Sequence, residues 1–238
     1  LRMDSIDEAM IFAAGFGKRM LPLTKKIPKP LLKINGKAII SYQIERLIEL
    51  NFKNILINGH HLFKKLENEL IIYKPFVKVI YEEEILETGG GLLNLINKKE
   101  FKNVKSPKLL INGDVYWERT KNCPIENIIK NWDKNMDLLL LLKKNDEVLG
   151  YQGKGDFSLE EKNKKVSKII KSSKNNDYMF AGLQIVNPKV IKNKKQKFSL
   201  SEIFLESIVK KKIYGYLDKN NWYHISNPKD LQKVNEIF

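Results

Sequence analysis

A single cysteine, Cys123, stands among 238 residues, so no disulfide can close within the chain. That suits a reducing compartment, and the expected location is the cytoplasm. Long apolar runs are missing too. The longest, Met136 to Leu142, is broken by Asp137 and falls far short of the ~20 residues that span a bilayer. The first residues, Leu1-Arg2-Met3-Asp4, lack the apolar stretch of a signal peptide. A soluble protein with no membrane partner is expected. There are 3 histidines and no Cys-x-x-Cys spacing, so a zinc site is not expected. Internal repeats and low-complexity linkers are also absent, and one domain is expected over 1–238.

Positive charge is abundant. Lys plus Arg number 43 against 28 Asp plus Glu, a formal net charge of +15. Such a surplus attracts polyanions. The lysines are scattered and come with no RNP signature or basic heptad, so small phosphorylated substrates fit better than nucleic acid.

Short apolar runs alternate with helical periodicity from the start to about residue 142. Ala9 to Ala14 reads as a buried strand ending at Gly15. Ile39 to Leu50 has helical spacing, and Asn54 to Asn58 is a second strand. Leu62 to Ile72 is a helix, and Val77 to Tyr81 a third strand. A helix is expected from Leu92 after Gly89-Gly90-Gly91, then a strand at Leu109 to Asn112. Ile125 to Trp132 is helical, and Asp137 to Leu142 is a buried strand. This is the pattern of an α/β protein with a doubly wound, mostly parallel sheet. Tyr151 to Asn176 reads as a small antiparallel or irregular insertion, with 171–177 an exposed loop. Strands at Met179 to Val186, Tyr214 to Leu217 and Trp222 to Ile225 follow. Two helices join them, one from Ser201 with Ser199 or Ser201 as cap, one opening at Asn227-Pro228.

The densest signal is Ala13-Ala14-Gly15-Phe16-Gly17-Lys18-Arg19-Met20-Leu21-Pro22-Leu23-Thr24, with Pro28-Lys29-Pro30-Leu31 soon after. Two glycines after a strand permit a tight turn and close backbone approach to phosphate. Arg19 offers a fork of donors to phosphate oxygens. Prolines on both sides of Lys29 limit its backbone. The glycines alone could be a plain strand-to-helix turn. They are neither a Rossmann fingerprint, since Met20 takes the third glycine position, nor a Walker A loop. Alone, Asp114 could be a helix cap and Gly89-Gly90-Gly91 a flexible loop.

The whole string resembles the signature of the sugar-1-phosphate nucleotidyltransferases. The likeness continues through Leu86-Glu87-Thr88-Gly89-Gly90-Gly91, Ile111-Asn112-Gly113-Asp114-Val115, Gly155-Asp156-Phe157 and Phe180-Ala181-Gly182, covering roughly Ala9 to Leu231. The Glu-Thr-Gly-Gly-Gly and Asn-Gly-Asp-Val forms are most similar to the short N-acetylmuramate 1-phosphate uridylyltransferases. Guanylyltransferases for mannose or heptose 1-phosphate share much of the pattern.

The resemblance implies a nucleotide-binding part over about 9–142 and a sugar-binding part over about 143–238. It implies a nucleoside triphosphate, UTP by preference, and a sugar 1-phosphate as substrates, with Mg2+ or Mn2+ as cofactor and a monomer or homodimer as the working form. Ala13, Ala14, Gly15, Gly17 and Asn112 would line the nucleotide, Gly15 and Gly17 with backbone N–H groups. Arg19 would hold the departing pyrophosphate and Lys29 the α-phosphate. Thr88, Gly89 and Gly90 would lie against base and ribose. Asp114 would bind the metal. His60 (or its neighbour His61), Asp156 and Gly182 would face the sugar side.

One segment departs from the family. A second metal-binding aspartate is expected in a Trp-x-Asp-x-Gly-Thr stretch. This chain has Trp222-Tyr223-His224-Ile225-Ser226-Asn227. His224 stands where the carboxylate belongs, and imidazole is a poor Mg2+ ligand. A shift towards Mn2+, or a weakly active nucleotide-binding protein, follows as the alternative.

Overall fold

The computed structural model describes residues 6–148, 151, 153–162, 164–170 and 176–238. The opening tetrapeptide read above, and residues 171–175 of the expected loop, lie outside the described residues.

Strand β1 (Glu8–Phe12) feeds the glycine loop. A short ribbon of β2 (Lys33–Ile34) and β3 (Lys37–Ala38) precedes α1 (Ile39–Glu49). Then come β4 (Asn54–Gly59), α2 (Phe63–Leu70), β5 (Val77–Tyr81), α3 (Glu87–Asn97) and β6 (Lys108–Asn112). Next are β7 (Tyr116–Trp117), α4 (Pro124–Lys130), β8 (Leu138–Lys144), β9 (Ser158–Leu159), β10 (Val166–Ile170) and β11 (Tyr178–Val186). The chain closes with α5 (Leu200–Val209), β12 (Ile213–Leu217), β13 (Trp222–Tyr223) and α6 (Pro228–Ile237).

Among the described residues, nine strands form one sheet in the order β5-β4-β1-β6-β11-β8-β12-β10-β9. The first four pair in parallel, as do β8 and β12. β11 lies antiparallel between β6 and β8, and β10 and β9 extend the far edge antiparallel. The expected antiparallel piece within 151–176 is thus an edge of the main sheet. The small β7–β13 ribbon stands apart from it.

The apolar runs explain the double winding. Along β8, Leu139 and Leu141 enter one apolar layer, and Leu138, Leu140 and Leu142 the other. β1 splits the same way, Ala9 and Ile11 against Met10, as does β4, Ile55 and Ile57 against Leu56. Side chains alternate across a strand, so a continuous apolar run needs cover on both faces. Ile40, Ile44, Leu66 and Ile128 of α1, α2 and α4 cover one face. Leu92, Leu95, Ile203 and Phe204 of α3 and α5 cover the other.

Helix α3 begins five residues earlier than its apolar spacing predicts. Its glycines sit inside the helix because neighbours occupy the space side chains need. A Cβ on Gly89 would lie 2.2 Å from the Phe198 ring, and one on Gly90 2.3 Å from the Gln196 carbonyl oxygen. The N–H groups of Gly89 and Gly90 both donate to the Phe198 carbonyl. Tertiary packing here overrides poor helix propensity. Ser199 caps α5 in a capping box with Glu202, as one of the two expected caps.

A buried ion pair fastens the end of the sheet opposite the glycine loop. Lys108 is fully buried and donates to Glu8 at 2.7 Å, to the Asn103 carbonyl and to Ser106. Burial pushes the Glu8 carboxyl up, but hydrogen bonds from Lys108, Asn54 and the Lys102 N–H outweigh it and hold it below the ordinary carboxylate range.

Candidate active site

The carboxyl ends of β1, β4 and β6 open into a cavity of about 400 Å3, where open α/β sheets place ligands. Its wall includes Ala13, Ala14, Gly15, Gly17, Arg19, Lys29, Thr88, Asn112 and Asp114, all read from the sequence as site residues.

At one end lies the glycine loop. Gly17 has φ +61°, and a Cβ there would meet Thr24 at 2.9 Å and the Lys29 side chain at 3.1 Å. Both the left-handed backbone and the close approach of Lys29 therefore need glycine. Thr24 donates its hydroxyl to the Gly17 carbonyl, and His61 braces the Thr24 carbonyl. Among the described residues, the N–H groups of Gly15, Phe16 and Gly17 donate to no protein acceptor. Such a row of free amides favours an anion.

Two cations flank these amides. Arg19 is exposed in the cavity wall. Lys29 is 9% exposed, and its Nζ lies 2.5 Å from Asp114 Oδ2. The two residues are 85 positions apart in sequence, and the fold brings them into direct contact. Asp114 hangs from the turn after β6. That turn is fixed from behind by buried Gln43, whose amide donates to the Asn112 and Val115 carbonyls at 3.0 and 2.9 Å.

The inner end of the cavity is a polar pair that sequence inspection missed. Asn58 accepts the Ala13 N–H and donates to Glu82 Oε1 at 2.8 Å. Both are buried in the wall. Glu82 Oε2 makes no close hydrogen bond. Burial, ahead of opposing pulls from Asn58 and the Leu86 N–H, raises the Glu82 carboxyl above its ordinary value.

Several residues read as site members stand elsewhere. Gly89 and Gly90 are absent from the wall, since Phe198 and the 196–197 backbone fill the space beside them. His60 bonds the Glu82 carbonyl through Nδ1 and faces Phe16 and Tyr81 over a neighbouring open pocket. Asp156 spends one carboxylate oxygen on the Phe180 N–H at 2.8 Å. Gly182, at φ +77°, packs behind the β6 end, where a Cβ would lie 2.6 Å from Val115.

His224 follows β13, whose pairing with β7 carries it towards Asp114. It is half-buried, with its ring edge on Tyr151 at 5.5 Å. Burial lowers its pKa, assisted by Arg19 and Lys29, while Asp230 and Asp114 pull the other way. Among the described residues, no group of three or more His, Cys, Asp or Glu could hold a metal ion. A Mg2+ ion is commonly held by one or two carboxylates with substrate phosphates completing the shell, and Asp114 is a carboxylate of this wall.

A glycine turn with free amides, two cations and a carboxylate at the carboxyl edge of a doubly wound sheet define the class, an α/β nucleotidyltransferase. The comparisons give the family: a model described as "Nucleotidyl transferase" matches residues 8–237, and the chain belongs to that family. The N-acetylmuramate alpha-1-phosphate uridylyltransferase of Caulobacter vibrioides is 26% identical over 229 residues, 92% of each chain. The enzyme of that name from Neisseria meningitidis serogroup B is 39% identical over 115 residues, 45% of this chain and 47% of that one. HddC from Yersinia pseudotuberculosis, in a crystal structure complexed with GMP-PN, superposes with a TM-score of 0.73 at 25% identity, covering 97% of this chain and 99% of that one. Among the described residues, no helix is long and apolar enough to cross a membrane.

Proposed function

We propose that the chain transfers a uridylyl group from UTP to N-acetylmuramate 1-phosphate, releasing pyrophosphate, in the cytoplasmic recycling of cell-wall sugar. The observation that carries the proposal is the Lys29–Asp114 contact at 2.5 Å in one wall with Gly17 and Arg19. The sugar phosphate oxygen attacks the α-phosphorus in line with the leaving pyrophosphate. That oxygen is already ionised, so no general base is needed. Both reactants are anions, and the task is to align them and cancel their repulsion. The free amides at 15–17 and Arg19 hold the β- and γ-phosphates. Lys29 offsets charge on the α-phosphate. A divalent ion on Asp114 would screen the same charge when bound.

Glu82, buried in the wall, provides a test of base choice. A neutral carboxyl offers one donor and one acceptor, which complements the N3–H and a carbonyl of uracil. A carboxylate, acceptor-only, suits the two adjacent donors of guanine. Burial raises the Glu82 pKa and so extends the neutral form to higher pH. Preference for UTP over GTP is expected to fall as pH rises through that raised pKa. In Glu82→Gln, which keeps the donor–acceptor pattern, the preference stays flat with pH. Initial rates with both triphosphates across a pH series check this.

His224 leaves the metal with one protein carboxylate. His224→Asp adds a hard, anionic ligand and is expected to tighten apparent Mg2+ affinity about tenfold, roughly 1.4 kcal/mol. Mg2+ titration of the UTP complex measures it; an unchanged midpoint would separate His224 from the metal.

The overall proposal is tested by pyrophosphate release with the four triphosphates against N-acetylmuramate, glucosamine-type, mannose, glucose and heptose 1-phosphates, each in Mg2+ and Mn2+. Highest kcat/KM with UTP and N-acetylmuramate 1-phosphate is expected. A maximum with GTP and a mannose or heptose phosphate would replace it by guanylyl transfer. Nucleotide binding without pyrophosphate release would make the chain a binding protein.

A further inference from the structure

Six described non-glycine residues have positive φ: Asn35, Asn51, Leu62, Glu87, Lys99 and Lys211. Three of them follow helix ends, Asn51 after α1, Lys99 after α3 and Lys211 after α5, where a left-handed cap is ordinary. Asn35 is in the β2–β3 turn and is a type that tolerates this region. Leu62 precedes α2 and borders the open pocket beside His60. Glu87 alone among the six lies in the wall of the cavity at the carboxyl ends of β1, β4 and β6, at φ +63°.

The position calls for glycine, and a glutamate is there instead. A side chain held in a disfavoured backbone region persists where the surroundings or the function require it. Capping does not require it, because the Phe198 carbonyl already takes the N–H groups of Gly89 and Gly90 and the Thr88 hydroxyl is engaged by the Leu200 N–H. Packing does not require it either, since Glu87 is exposed. Among the described residues, it forms no ion pair or hydrogen bond. An acidic residue favours the first turn of a helix, but that accounts for the charge and not for the left-handed backbone.

A lone carboxylate in a cavity built for phosphates repels the ligand unless it meets donors. A nucleoside triphosphate carries donors in two places, the base edge and the ribose hydroxyls. The buried Asn58–Glu82 pair provides for a flat base edge. An exposed carboxylate suits hydroxyls that remain near water, and a vicinal diol presents two O–H donors to an acceptor-only group. We propose that Glu87 is a specificity residue that accepts hydrogen bonds from the ribose hydroxyls and selects ribonucleoside over deoxyribonucleoside triphosphates. This assignment rests on the nucleotidyl-transfer proposal above.

Glu87→Gly is the informative variant, because it removes the carboxylate and relieves the backbone together. Binding of UTP and dUTP is measured calorimetrically with Mn2+ and no sugar phosphate, so that nothing turns over. The wild type is expected to favour UTP about tenfold, the size of a hydrogen bond to a charged group. In Glu87→Gly the UTP-to-dUTP affinity ratio falls to about one, and Tm is equal to or above that of the wild type. Glu87→Gln, with one acceptor oxygen kept, falls between. An unchanged UTP-to-dUTP ratio in Glu87→Gly overturns the assignment of Glu87 alone. A wild type that binds neither nucleotide overturns the nucleotidyl-transfer proposal and Glu87's role with it.

Discussion

Lys29→Ala is expected to lower kcat/KM roughly 100- to 1,000-fold with the fold unchanged. Lys29 is held between two prolines and against Gly17, so its ammonium occupies one place before substrate arrives. A cation already in position needs no rearrangement as charge grows on the α-phosphate, and loss of one such donor costs about 100- to 1,000-fold. The variant does further harm, because Asp114 loses its partner and an unscreened carboxylate faces the polyphosphate. Stability should change less than on breaking a fully buried pair, since the Asp114 side chain left behind is 35% exposed and water can solvate it. The loss is expected mainly in kcat, because the interaction strengthens as charge develops. Steady-state kinetics together with a thermal melt check it. Normal turnover in a folded Lys29→Ala protein would remove Lys29 from the mechanism.

Lys108→Met should destabilise the chain by about 3–5 kcal/mol, the cost of leaving a buried charge without its partner. For a protein of this size that is a Tm drop of roughly 6–20 °C. Lys108 is fully buried and Glu8 is 3% exposed, so water cannot replace the lost contact. The double variant Glu8→Gln/Lys108→Met should recover part of the loss, because no charge remains buried. The pH dependence has a definite sign. In the wild type the folded Glu8 pKa is depressed, so its stabilisation is present above the unfolded carboxylate pKa. It is lost as pH falls through the folded value. In Lys108→Met the largest counterweight to burial is gone, and acidification should then cost less or even stabilise. Chemical denaturation at neutral and acid pH measures both effects.

The parts of the site that sequence shows are those carried by contiguous residues. The string from Ala13 to Leu31 displays the loop, the arginine and the lysine together, and the Asp114 segment marks a strand end. Asn58–Glu82 was hidden because it forms only when β4 and β5 lie side by side. In sequence, Glu82 opens the run Glu82-Glu83-Glu84, which looks like a solvated acidic patch. The packing around Gly89 and Gly90 was hidden for a related reason: their small size accommodates Phe198 and Gln196, more than 100 positions away. The β2–β3 ribbon did carry a signal, Asn35-Gly36 between short strands. Strand positions were legible from apolar runs, but the antiparallel course of β11 between β6 and β8 was not. Burial on both faces gives the same pattern in either direction.

The central claim is that one polyphosphate bridges the amides of residues 15–17, Lys29 and Asp114. Crystals soaked with UTP and Mn2+, with diffraction data collected at the manganese absorption edge, test it directly. The account predicts an anomalous peak at the Asp114 carboxylate, with the triphosphate lying across Gly15–Gly17 and Lys29 at the α-phosphate. A triphosphate bound elsewhere, or manganese held away from Asp114, would contradict it.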